Sequence, residues 1–321
     1  MITMRILKKH LLDELSQAEG FVTYGVIPFI EYQLATSFTR TGYEFAKTII
    51  SFALPYESNN PVLKKGEYRF AKFAYGVDYH RVVFEKIFNI KEQLEREFGV
   101  FQYSINVDTN WLDEKTIASM AGIGFIGRNT LVISKQKGSF FVLGELCLDL
   151  ESEFYTSSIQ NGCHHCKRCV DACPTSAIQM NASDFVKERC LSHLTQRKNP
   201  FDDIAFDSVV ETIFGCDICQ EVCPYNQKQQ AFDPLLSIDP LSITTLDQFL
   251  KMTKDVYDTV YLDKTFHWVR YEVILRNIII ASVNQGTITK EKLEEIRRTY
   301  HYLPWMIPII NQAIERMNER G

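Results

Sequence analysis

Hydrophobic and polar positions alternate between helical and strand spacing along the first 150 residues. Apolar residues recur every three or four positions in segment 78–99, DYHRVVFEKIFNIKEQLEREFG, which predicts a helix that ends at Gly99. KKHLLDELSQAEG predicts an earlier helix that ends at Gly20. Dense β-branched and aromatic residues in AKTIISFALPY predict a buried strand that Pro55 stops.

The remaining pattern predicts more strands and then a helical C-terminal region. GFVTYGVIPF and FQYSINVDTN read as strands, and TLVISKQKGSFFVLGELCL as a hairpin that turns near Lys137 and Gly138. From about residue 240 the spacing is helical in TTLDQFLKMT, HWVRYEVILRNIIIASV and KEKLEEIRRTY, the last capped by Thr289. We therefore expect an α+β protein with three regions, 1–155, 156–235 and 236–321.

Composition narrows the class of protein. The chain has 321 residues, of which 45% are hydrophobic and 23% charged, so it is globular rather than disordered. The 35 Lys and Arg residues against 40 Asp and Glu residues give a net charge of 35 − 40 = −5, so the chain as a whole has no positive field that would attract nucleic acid. A local basic face remains possible. No apolar run approaches a membrane span and the N-terminus has no signal core, so we expect a cytoplasmic protein.

Nine cysteines point to metal chemistry. Eight of them lie between residues 163 and 223 in a long chain without an export signal. Clustered thiolates in a reducing compartment are typical metal ligands. Cys147 stands apart in an apolar stretch, and we expect it to be a buried structural thiol.

The cysteine spacing is that of two-cluster bacterial ferredoxins. CHHCKRCVDACP is a C-x₂-C-x₂-C-x₃-C-P run, and CDICQEVCP is a partial second copy, whose missing first ligand we assign to Cys190. Crossed ligation then gives each [4Fe–4S] cluster four thiolates. Cluster one takes Cys163, Cys166, Cys169 and Cys223, and cluster two takes Cys173, Cys190, Cys216 and Cys219. Two structural zinc sites are the alternative, and His164 and His165 are expected to be exposed loop residues.

The segment 107–145 carries a second signal. Gly122, Gly124 and Gly127 imitate a dinucleotide fingerprint but follow a predicted helix, so that interpretation fails. Close approach of this backbone to a large planar ligand stays open. Asp108 ends a predicted strand, and from its residue type alone a helix cap or a turn is the ordinary role.

These motifs together resemble one family. VDT, AGIGFIGRNTL, GSFFVLGE, CHHCKRCVDACPTSAI, RCLSHLTQ and GCDICQEVCPYN, with FAKFAYGVDYHRV upstream, are similar to the epoxyqueuosine reductases. The resemblance implies cob(II)alamin in an N-terminal domain similar to that of reductive dehalogenases, followed by the ferredoxin-like domain. It also implies two-electron removal of the epoxide oxygen from epoxyqueuosine at the wobble position of tRNA, the last step of queuosine synthesis.

The resemblance also assigns roles to individual residues. Asp108 matches a family position that is both the proposed proton donor to the epoxide oxygen and a contact of the corrin. A carboxyl that donates a proton near neutral pH needs a pKa above its ordinary value. Further corrin contacts are implied at six positions, with ordinary core or loop roles as the alternative. They are Ala71, Asn129, Val132, Leu143, Ser192 and Asp217.

A local basic stretch is the candidate tRNA surface. Arg197 and Lys198 form its centre, where Lys198 matches a family position that meets tRNA, and Lys187 and Arg189 lie upstream. A solvated charge pair is the alternative. The basic residues that could extend the patch are Lys64, Lys65, Arg69 and Lys72.

Two other classes of function stay open on the sequence. One is a dehalogenase-like cobalamin and iron–sulfur reductase of a small molecule, and the other is an electron-transfer protein without its own chemistry. Many family members carry longer HEAT-like helical repeats, and HWVRYEVILRNIIIASV resembles only the first helix, so we expect a short form. A low-potential electron donor and a monomeric state complete the expectations.

Overall fold

The computed structural model describes residues 5–108, 111–198, 201–227 and 231–320. This described part of the chain divides into two compact units whose segments interleave along the sequence. The first unit is built from segments 1–58, 77–167 and 223–237, and the second from 59–76, 168–222 and 238–321. The predicted division into regions 1–155, 156–235 and 236–321 stays a prediction about function.

Strands and helices both contribute to each unit. The strands are β1 (Ile6–Leu7), β2 (Thr23–Pro28), β3 (Thr48–Pro55), β4 (Glu67–Phe70), β5 (Tyr103–Asn106), β6 (Phe125–Ile126), β7 (Val132–Ile133), β8 (Phe141–Leu148), β9 (Glu151–Ser152), β10 (Thr212–Phe214) and β11 (Ile243–Thr245). The α-helices are α1 (Lys9–Ala18), α2 (Phe29–Thr36), α3 (Tyr79–Phe98), α4 (Glu114–Met120), α5 (Arg168–Ala172), α6 (Leu191–Thr195), α7 (Asp203–Ser208), α8 (Ile218–Glu221), α9 (Leu246–Leu250), α10 (Lys254–Val260), α11 (Tyr271–Gln285), α12 (Lys290–Thr299) and α13 (Ile307–Arg320). Short 3₁₀ helices lie at Lys72–Ala74, Ala182–Asp184, Lys187–Arg189, Pro224–Asn226, Pro234–Leu236 and Pro240–Ser242.

A four-stranded antiparallel sheet is the frame of the first unit. Its strand order is β2-β3-β8-β5, and every residue of β3 and β8 is buried. Burial on both faces explains why these two strands read as continuous apolar runs rather than alternating ones. Small two-stranded pairs, β1 with β9 and β6 with β7, complete the strands of this unit.

The long helix α3 packs on this sheet. The Asp78 side chain accepts the backbone N–H of His80 and so caps its first turn, and the chain leaves the helix at Gly99 with a φ of 73°. The apolar face predicted from the spacing is buried, with Val83 and Ile87 on it. The capping aspartate places Tyr79 and His80 in the first turn, which matters for the site below.

The second unit surrounds an apolar helix. Its mixed sheet, in the order β10-β4-β11, is parallel between β10 and β4 and antiparallel between β4 and β11. All but the ends of α11 is buried, and Ile278 and Ile279 lie in a core that also includes Phe206 and Phe249. A helix that is apolar all round needs partners on every side, which α6, α7, α9, α13 and β10 provide.

Most sequence predictions of elements are confirmed, and one is wrong. Thr289 caps α12 by accepting the Lys292 backbone N–H, as predicted. The chain does turn between Ser134 and Gly138, but no hairpin forms, because β7 pairs with β6 whereas β8 joins β3 and β5. Partner choice of this kind depends on the whole sheet and is not contained in local spacing.

Among the described residues, no helix combines the length and the apolar character needed to cross a lipid bilayer.

Candidate active site

Asp108 lies in the first unit just after β5, in an unusual backbone conformation. Its φ is 48°, a left-handed value that few residues other than glycine adopt. Of the two ordinary roles, a helix cap is excluded, because Asp113 rather than Asp108 caps α4, whereas the bend of the chain at Asp108 agrees with the turn role. The side chain of Asp108 is 54% exposed, so its carboxylate is accessible while its backbone is held.

Two side chains from the first turn of α3 contact the Asp108 carboxylate. The Tyr79 hydroxyl donates to Oδ2 at 3.1 Å, and Nε2 of His80 lies 3.4 Å from the same oxygen. On the other side of the imidazole ring, Nδ1 lies 2.6 Å from Oδ1 of Asp78. His80 is therefore bracketed by two carboxylates, which orient the ring through both nitrogens.

This arrangement decides where the proton resides. Burial alone would lower the pKa of His80, but its hydrogen bonds to Asp108 and Asp78 outweigh burial and raise the pKa to about 9. The hydrogen bond from His80 lowers the pKa of Asp108, against the opposing effect of burial. The expected raised pKa of Asp108 is thus not found in this state, because a cationic neighbour stabilises the carboxylate.

Two further acids lie beneath Asp108. Oε2 of Glu114, at the start of α4, accepts the backbone N–H of Asp108 at 3.2 Å. Burial, with the Asp108 charge second, raises the pKa of Glu114 to about 7. Burial also raises the pKa of Glu145 on β8 well above its ordinary value, and Glu114 adds to that shift. Glu114 therefore holds the Asp108 backbone and titrates near neutral pH.

A cavity of about 590 Å³ opens beside Asp108 and Glu114. Tyr32, Phe38 and Trp111 give it aromatic walls. The guanidinium of Arg40 lies 3.2 Å from the ring centroid of Trp111. A pocket with aromatic walls and a few convergent polar groups is suited to a planar organic ligand.

Asn129 is a predicted corrin contact whose side chain has, within the described residues, an unsatisfied hydrogen-bond donor. It is buried, and its Oδ1 accepts the Leu131 backbone N–H at 3.4 Å. Its Nδ2 is buried and has no hydrogen-bond partner within the described part of the chain. A buried donor of this kind needs an acceptor, and the amide side chains around a corrin ring carry such carbonyls. The residues present therefore fit that cofactor.

The neighbouring predicted contacts are buried on strands. Val132 on β7 and Leu143 on β8 lie in one apolar cluster with Ala53 and Phe141, which matches their ordinary core role. Gly124 packs against β7 so closely that a Cβ there would lie 2.6 Å from the carbonyl of Ile133. Packing within the protein therefore accounts for this glycine without a planar ligand.

The other three predicted contacts lie in the second unit. Ala71 is fully buried and precedes a 3₁₀ turn, and Ser192 on α6 accepts a hydrogen bond from Gln196. Oδ2 of Asp217 is paired with Nη1 of Arg69 at 2.7 Å. The roles of all three in cofactor binding stay predictions.

Arg69 and Lys72 do not extend a surface patch. They are only 6% and 3% exposed. Lys72 pairs with Glu221 at 2.9 Å, and Arg69 pairs with Asp217. Buried charges of opposite sign stabilise one another only when paired in this way. These two residues are structural, which the sequence pattern of basic residues did not reveal.

The structure brings several predicted cluster ligands together within each unit. In the first unit, Cys163 packs against a buried cluster that consists of Phe125, Ile133 and Cys223. Arg128 holds the loop that carries Cys163 and Cys166, since its Nε donates to the carbonyl of Cys166 at 2.8 Å. His164 and His165 are exposed, as predicted.

In the second unit, the remaining cysteines also group. Helix α5, which carries Cys169, packs on α8, which carries Cys219. Burial raises the pKa of the Cys216 thiol to about 12, and the nearby Cys190 and Cys173 contribute to the shift. Three of the four ligands assigned to cluster two are therefore neighbours. Cys147 is fully buried on β8, as predicted.

Within the described residues, no three His, Cys, Asp or Glu side chains are placed to hold one metal ion. In a four-iron cube each thiolate binds a different iron, so its ligands stand farther apart than those of a single zinc ion.

The predicted basic pair is exposed. Arg197 and Lys198 follow α6 at the surface of the second unit. The Arg197 guanidinium lies 6.0 Å from the ring centroid of Trp268, and Nζ of Lys198 lies 5.5 Å from that of Trp305. Their contact with RNA stays a prediction.

Sequence reasoning missed the partners of Asp108. Tyr79, His80 and Glu114 carry no spacing signal that points to Asp108. The available signal is that Tyr79 and His80 belong to the stretch FAKFAYGVDYHRV, which resembles the family. A histidine flanked by an aspartate in the first turn of a helix is a candidate for a proton-transfer group.

Comparison with known proteins agrees with both motifs. The model of a 4Fe-4S double cluster binding domain matches residues 162–226, which decides against the zinc alternative. The model described as epoxyqueuosine reductase QueG, DUF1730, matches residues 40–109. The second match ends one residue beyond Asp108.

Whole-chain relatives extend this similarity. The epoxyqueuosine reductase of Lactococcus garvieae is 34% identical over 288 residues, which cover 88% of this chain and 81% of the relative. The solved structure of epoxyqueuosine reductase from Streptococcus thermophilus is 30% identical and superposes with a TM-score of 0.83, covering 98% of this chain and 91% of that one. A crystal structure of epoxyqueuosine reductase with an epoxyqueuosine-modified tRNA-Tyr stem loop is 26% identical, with a TM-score of 0.82, and covers 96% of this chain and 89% of that one. The predicted family is confirmed, and the chain belongs to the epoxyqueuosine reductases.

Proposed function

We propose that this chain reduces epoxyqueuosine at the wobble position of tRNA to queuosine, with Asp108 as the proton donor. The observation that carries the proposal is the contact of Tyr79 and His80 with a single, accessible carboxylate oxygen of Asp108. Relatives over most of the chain are epoxyqueuosine reductases, which favours this substrate over a small halogenated molecule. A bare electron carrier would not need such an acid.

The reaction explains why a proton source is needed. Conversion of an epoxide to an alkene and water consumes two electrons and two protons, and the departing oxygen is a poor leaving group until it is protonated. His80 keeps its proton at neutral pH. The Asp108 carboxylate contacts Nε2 of His80 and is itself exposed, so it can pass this proton to a substrate. When the substrate displaces water from Asp108, the loss of hydration raises the pKa of the carboxyl and favours proton transfer through it.

Other residues position this acid. Asp78 orients the imidazole, and Glu114 holds the Asp108 backbone. The aromatic walls of the adjacent cavity, with Arg40 against Trp111, are suited to a flipped-out nucleobase. These groups fix geometry rather than exchange electrons.

The cofactors, when bound, would supply the electrons. A bound corrinoid would provide strongly reducing cobalt, and two [4Fe–4S] clusters would feed it one electron at a time. In this chain Asn129 would donate its free amide N–H to the corrinoid, and Val132 and Leu143 would line the apolar side. Ala71, Ser192 and Asp217 are further proposed contacts, and the crossed assignment of the eight cysteines is proposed for the clusters.

The test is reconstitution and turnover. The anaerobic protein is loaded with iron, sulfide and cobalamin, mixed with epoxyqueuosine-containing tRNA and a strong reductant, and the nucleosides are analysed by mass spectrometry. We expect queuosine from the wild type and a loss of about 10²-fold or more in rate from Asp108→Asn. Asp255→Asn, an exposed aspartate on α10, is the matched control. Full loading with iron and corrinoid but no queuosine from the wild type would overturn the substrate.

Cytoplasmic location, the monomeric state, the low-potential donor and the tRNA contacts of Arg197 and Lys198 are inferred together with this function. Each rests on the proposed activity or on the family resemblance.

A further inference from the structure

A fully buried carboxyl lies in the layer between β8 and α4 of the first unit. Glu145 is 1% exposed and lies on β8 between Leu143 and Cys147, which the alternation of a strand places on the same face. Leu143 packs in one apolar cluster with Ala118 of α4. Cys147 packs in another with Ile117, also of α4. Glu145 therefore faces α4, in a layer that is largely apolar.

Acids rather than bases act on Glu145. The Oγ of Ser51, on the neighbouring strand β3, donates to its Oε1 at 3.2 Å. Burial, and after it the charge of Glu114, hold the pKa of Glu145 well above its ordinary value. The charges of Asp113 and Asp108 act in the same direction. A carboxyl that is buried among acids keeps its proton, because the charged form has lost its hydration and gains no opposite charge.

Glu114 is the member of this group that changes its protonation near neutral pH. It begins α4, lines the cavity beside Asp108 and accepts the Asp108 backbone N–H. Burial, with the Asp108 charge second, raises its pKa to about 7, and the charges of Lys115 and His80 oppose this shift.

The surrounding groups keep one protonation state in the same range. His80 stays protonated, since its pKa is about 9, and Tyr79 stays neutral, since burial raises its pKa well above the ordinary value. The titratable groups around Glu114 come from α3 (Tyr79, His80), the end of β5 (Asp108), α4 itself (Asp113, Lys115), β8 (Glu145) and, across the cavity, α2 (Tyr32). A proton that this site gains or loses near pH 7 therefore belongs to Glu114.

The proposed corrinoid contacts of the first unit lie on the same elements. Leu143 is two residues before Glu145 on β8, and it shares a buried cluster with Val132. Asp108, an implied corrin contact, is hydrogen-bonded to Glu114 through its backbone. An electron added to a bound corrinoid would thus place negative charge near carboxyls that burial already disfavours in their charged form. Water screens such an interaction little in a protein interior.

We propose that Glu114 takes up a proton from solvent when a corrinoid bound in this unit accepts an electron, and releases it when the corrinoid is oxidised again. One electron from the low-potential donor and one proton from solvent then yield a reduced corrinoid and a neutral Glu114 carboxyl. The cavity that Glu114 lines gives solvent access to it. Electron uptake, and not proton transfer to the substrate, is the step that Glu114 serves. The inference rests on the proposed function for the identity of the cofactor.

The test measures the midpoint potential of the bound corrinoid against pH. Anaerobic protein loaded with iron, sulfide and cobalamin is titrated with a reductant at pH values on both sides of 7, and the cob(II)alamin signal is followed by electron paramagnetic resonance. We expect the wild-type midpoint to fall as pH rises through about 7, because ionised Glu114 opposes reduction. One proton per electron limits the fall to about 59 mV per pH unit.

Variants assign this pH dependence to one side chain. Glu114→Gln is neutral at every pH, so its midpoint should not depend on pH and should exceed that of the wild type above pH 7. Glu114→Ala should give the same flat profile. Glu145→Gln keeps a neutral group and should retain the wild-type fall, as should Glu97→Gln, which is exposed on α3. Cobinamide, which lacks the titratable base of the nucleotide tail, replaces cobalamin in a parallel titration.

Two results would overturn the inference. One is the same pH dependence of the midpoint in wild type and Glu114→Gln. The other is a fall that disappears in Glu145→Gln but persists in Glu114→Gln, which would assign the proton to the wrong acid.

Turnover separates this inference from the proposed function, because the potential is measured without RNA. Queuosine formation by a protein whose midpoint is independent of pH would refute the role of Glu114 and keep the proposed function. A midpoint that depends on pH through Glu114, in a protein that forms no queuosine, would keep that role and refute the proposed function. A protein that takes up no cobalamin would refute both.

Discussion

At the scale of single residues, the proposed chemistry depends on the pairing of Asp108 with His80. Neither side chain has its ordinary pKa, because each stabilises the charged form of the other. The pair therefore acts as one proton-holding unit over the neutral range. An isolated, half-exposed carboxyl has lost its proton at neutral pH. In this pair the neighbouring imidazole still holds a proton there.

The pH dependence of His80 gives the first prediction. Its folded-state pKa of about 9 lies above the ordinary 6.5, so the proton and its stabilising contribution are fully present below pH 6.5 and are lost as pH rises through about 9. We expect turnover to fall above pH about 9. His80→Gln should be slower by about 10²-fold and lack this alkaline limb, and His10→Gln, exposed on α1, should behave as wild type. An unchanged alkaline limb in His80→Gln would refute the role of the imidazole.

Glu114 provides the second residue-scale prediction. Because its folded-state pKa is raised to about 7 from 4.5, the wild type loses stability as pH rises through that interval. Glu114→Gln removes the titration, so its stability relative to wild type should improve between pH 4.5 and 7, as measured by urea unfolding. Glu97→Gln, exposed on α3, should show no such trend.

Removal of the Glu114 side chain should affect catalysis instead. Glu114→Ala loses the acceptor for the Asp108 backbone N–H, and the loss of one such hydrogen bond is worth about 1 kcal/mol. We expect a reduction in kcat of roughly five- to ten-fold, with Glu114→Gln retaining most of the activity. Equal rates for the alanine and glutamine variants would show that the acceptor does not position Asp108.

At the scale of elements, buried polar residues join α11 to the chain around it. Arg276 and Asn277 satisfy the carbonyls at the end of α6, and Asn277 also donates to the carbonyl of Ile213 on β10. Burial lowers the pKa of Arg276 to about 9, so its charge is costly and depends on those carbonyls and on the ring of Phe201, 4.7 Å away. An apolar helix is thereby given one defined orientation.

This junction predicts a large stability effect. Arg276→Met should lower the free energy of unfolding by on the order of 3 kcal/mol, because it removes the hydrogen bonds that Arg276 donates to the carbonyls of Leu194 and Arg197 and to Oδ1 of Asn277. Guanidinium unfolding of the cofactor-loaded protein, followed by circular dichroism, measures the shift in midpoint. Arg81→Met, on the exposed face of α3, is the control and should stay within about 0.5 kcal/mol of wild type. A wild-type midpoint for Arg276→Met would show that the junction contributes little.

At the scale of the whole molecule, cysteines that are distant in sequence must converge to hold two clusters. The assignment of Cys190 is the least local, since it lies outside both cysteine runs. Cys190 lies near Cys216, as does Cys173, within the second unit, which supports Cys190 as a ligand of cluster two. The family match over residues 162–226 includes this position.

Iron content tests that assignment. The reconstituted wild type should contain about eight irons per chain. Cys190→Ala should retain about four to seven, with one intact [4Fe–4S] signal by electron paramagnetic resonance after reduction, because cluster one keeps all its ligands. Cys147→Ala, the buried thiol of β8, should retain about eight. Eight irons in Cys190→Ala would exclude Cys190 as a ligand.

Local sequence pattern predicts many of the helices and strands and the iron–sulfur ligands of this protein, for physical reasons. The helix α3 and the strand β3 follow from spacing and end signals that act within a few residues. The cysteine runs specify iron–sulfur chemistry because ligand spacing around a cube is local for three of the four thiolates. Asp108 was identified by family resemblance and not by any physical signal of its own.

Only the tertiary structure decided the environment of those residues. The approach of His80 to Asp108 joins positions 28 residues apart, and that of Arg69 to Asp217 joins positions 148 apart. The first pairing reversed the expected pKa direction of Asp108, and ion pairs with Asp217 and Glu221 hold Arg69 and Lys72 away from the surface. Strand pairing gave β7 and β8 different partners. The physical reason is that side-chain charge and strand pairing respond to burial and to non-local neighbours. Sequence by itself determined which chemical groups the protein carries and most of its helices and strands, whereas packing determined which groups meet and in which protonation state.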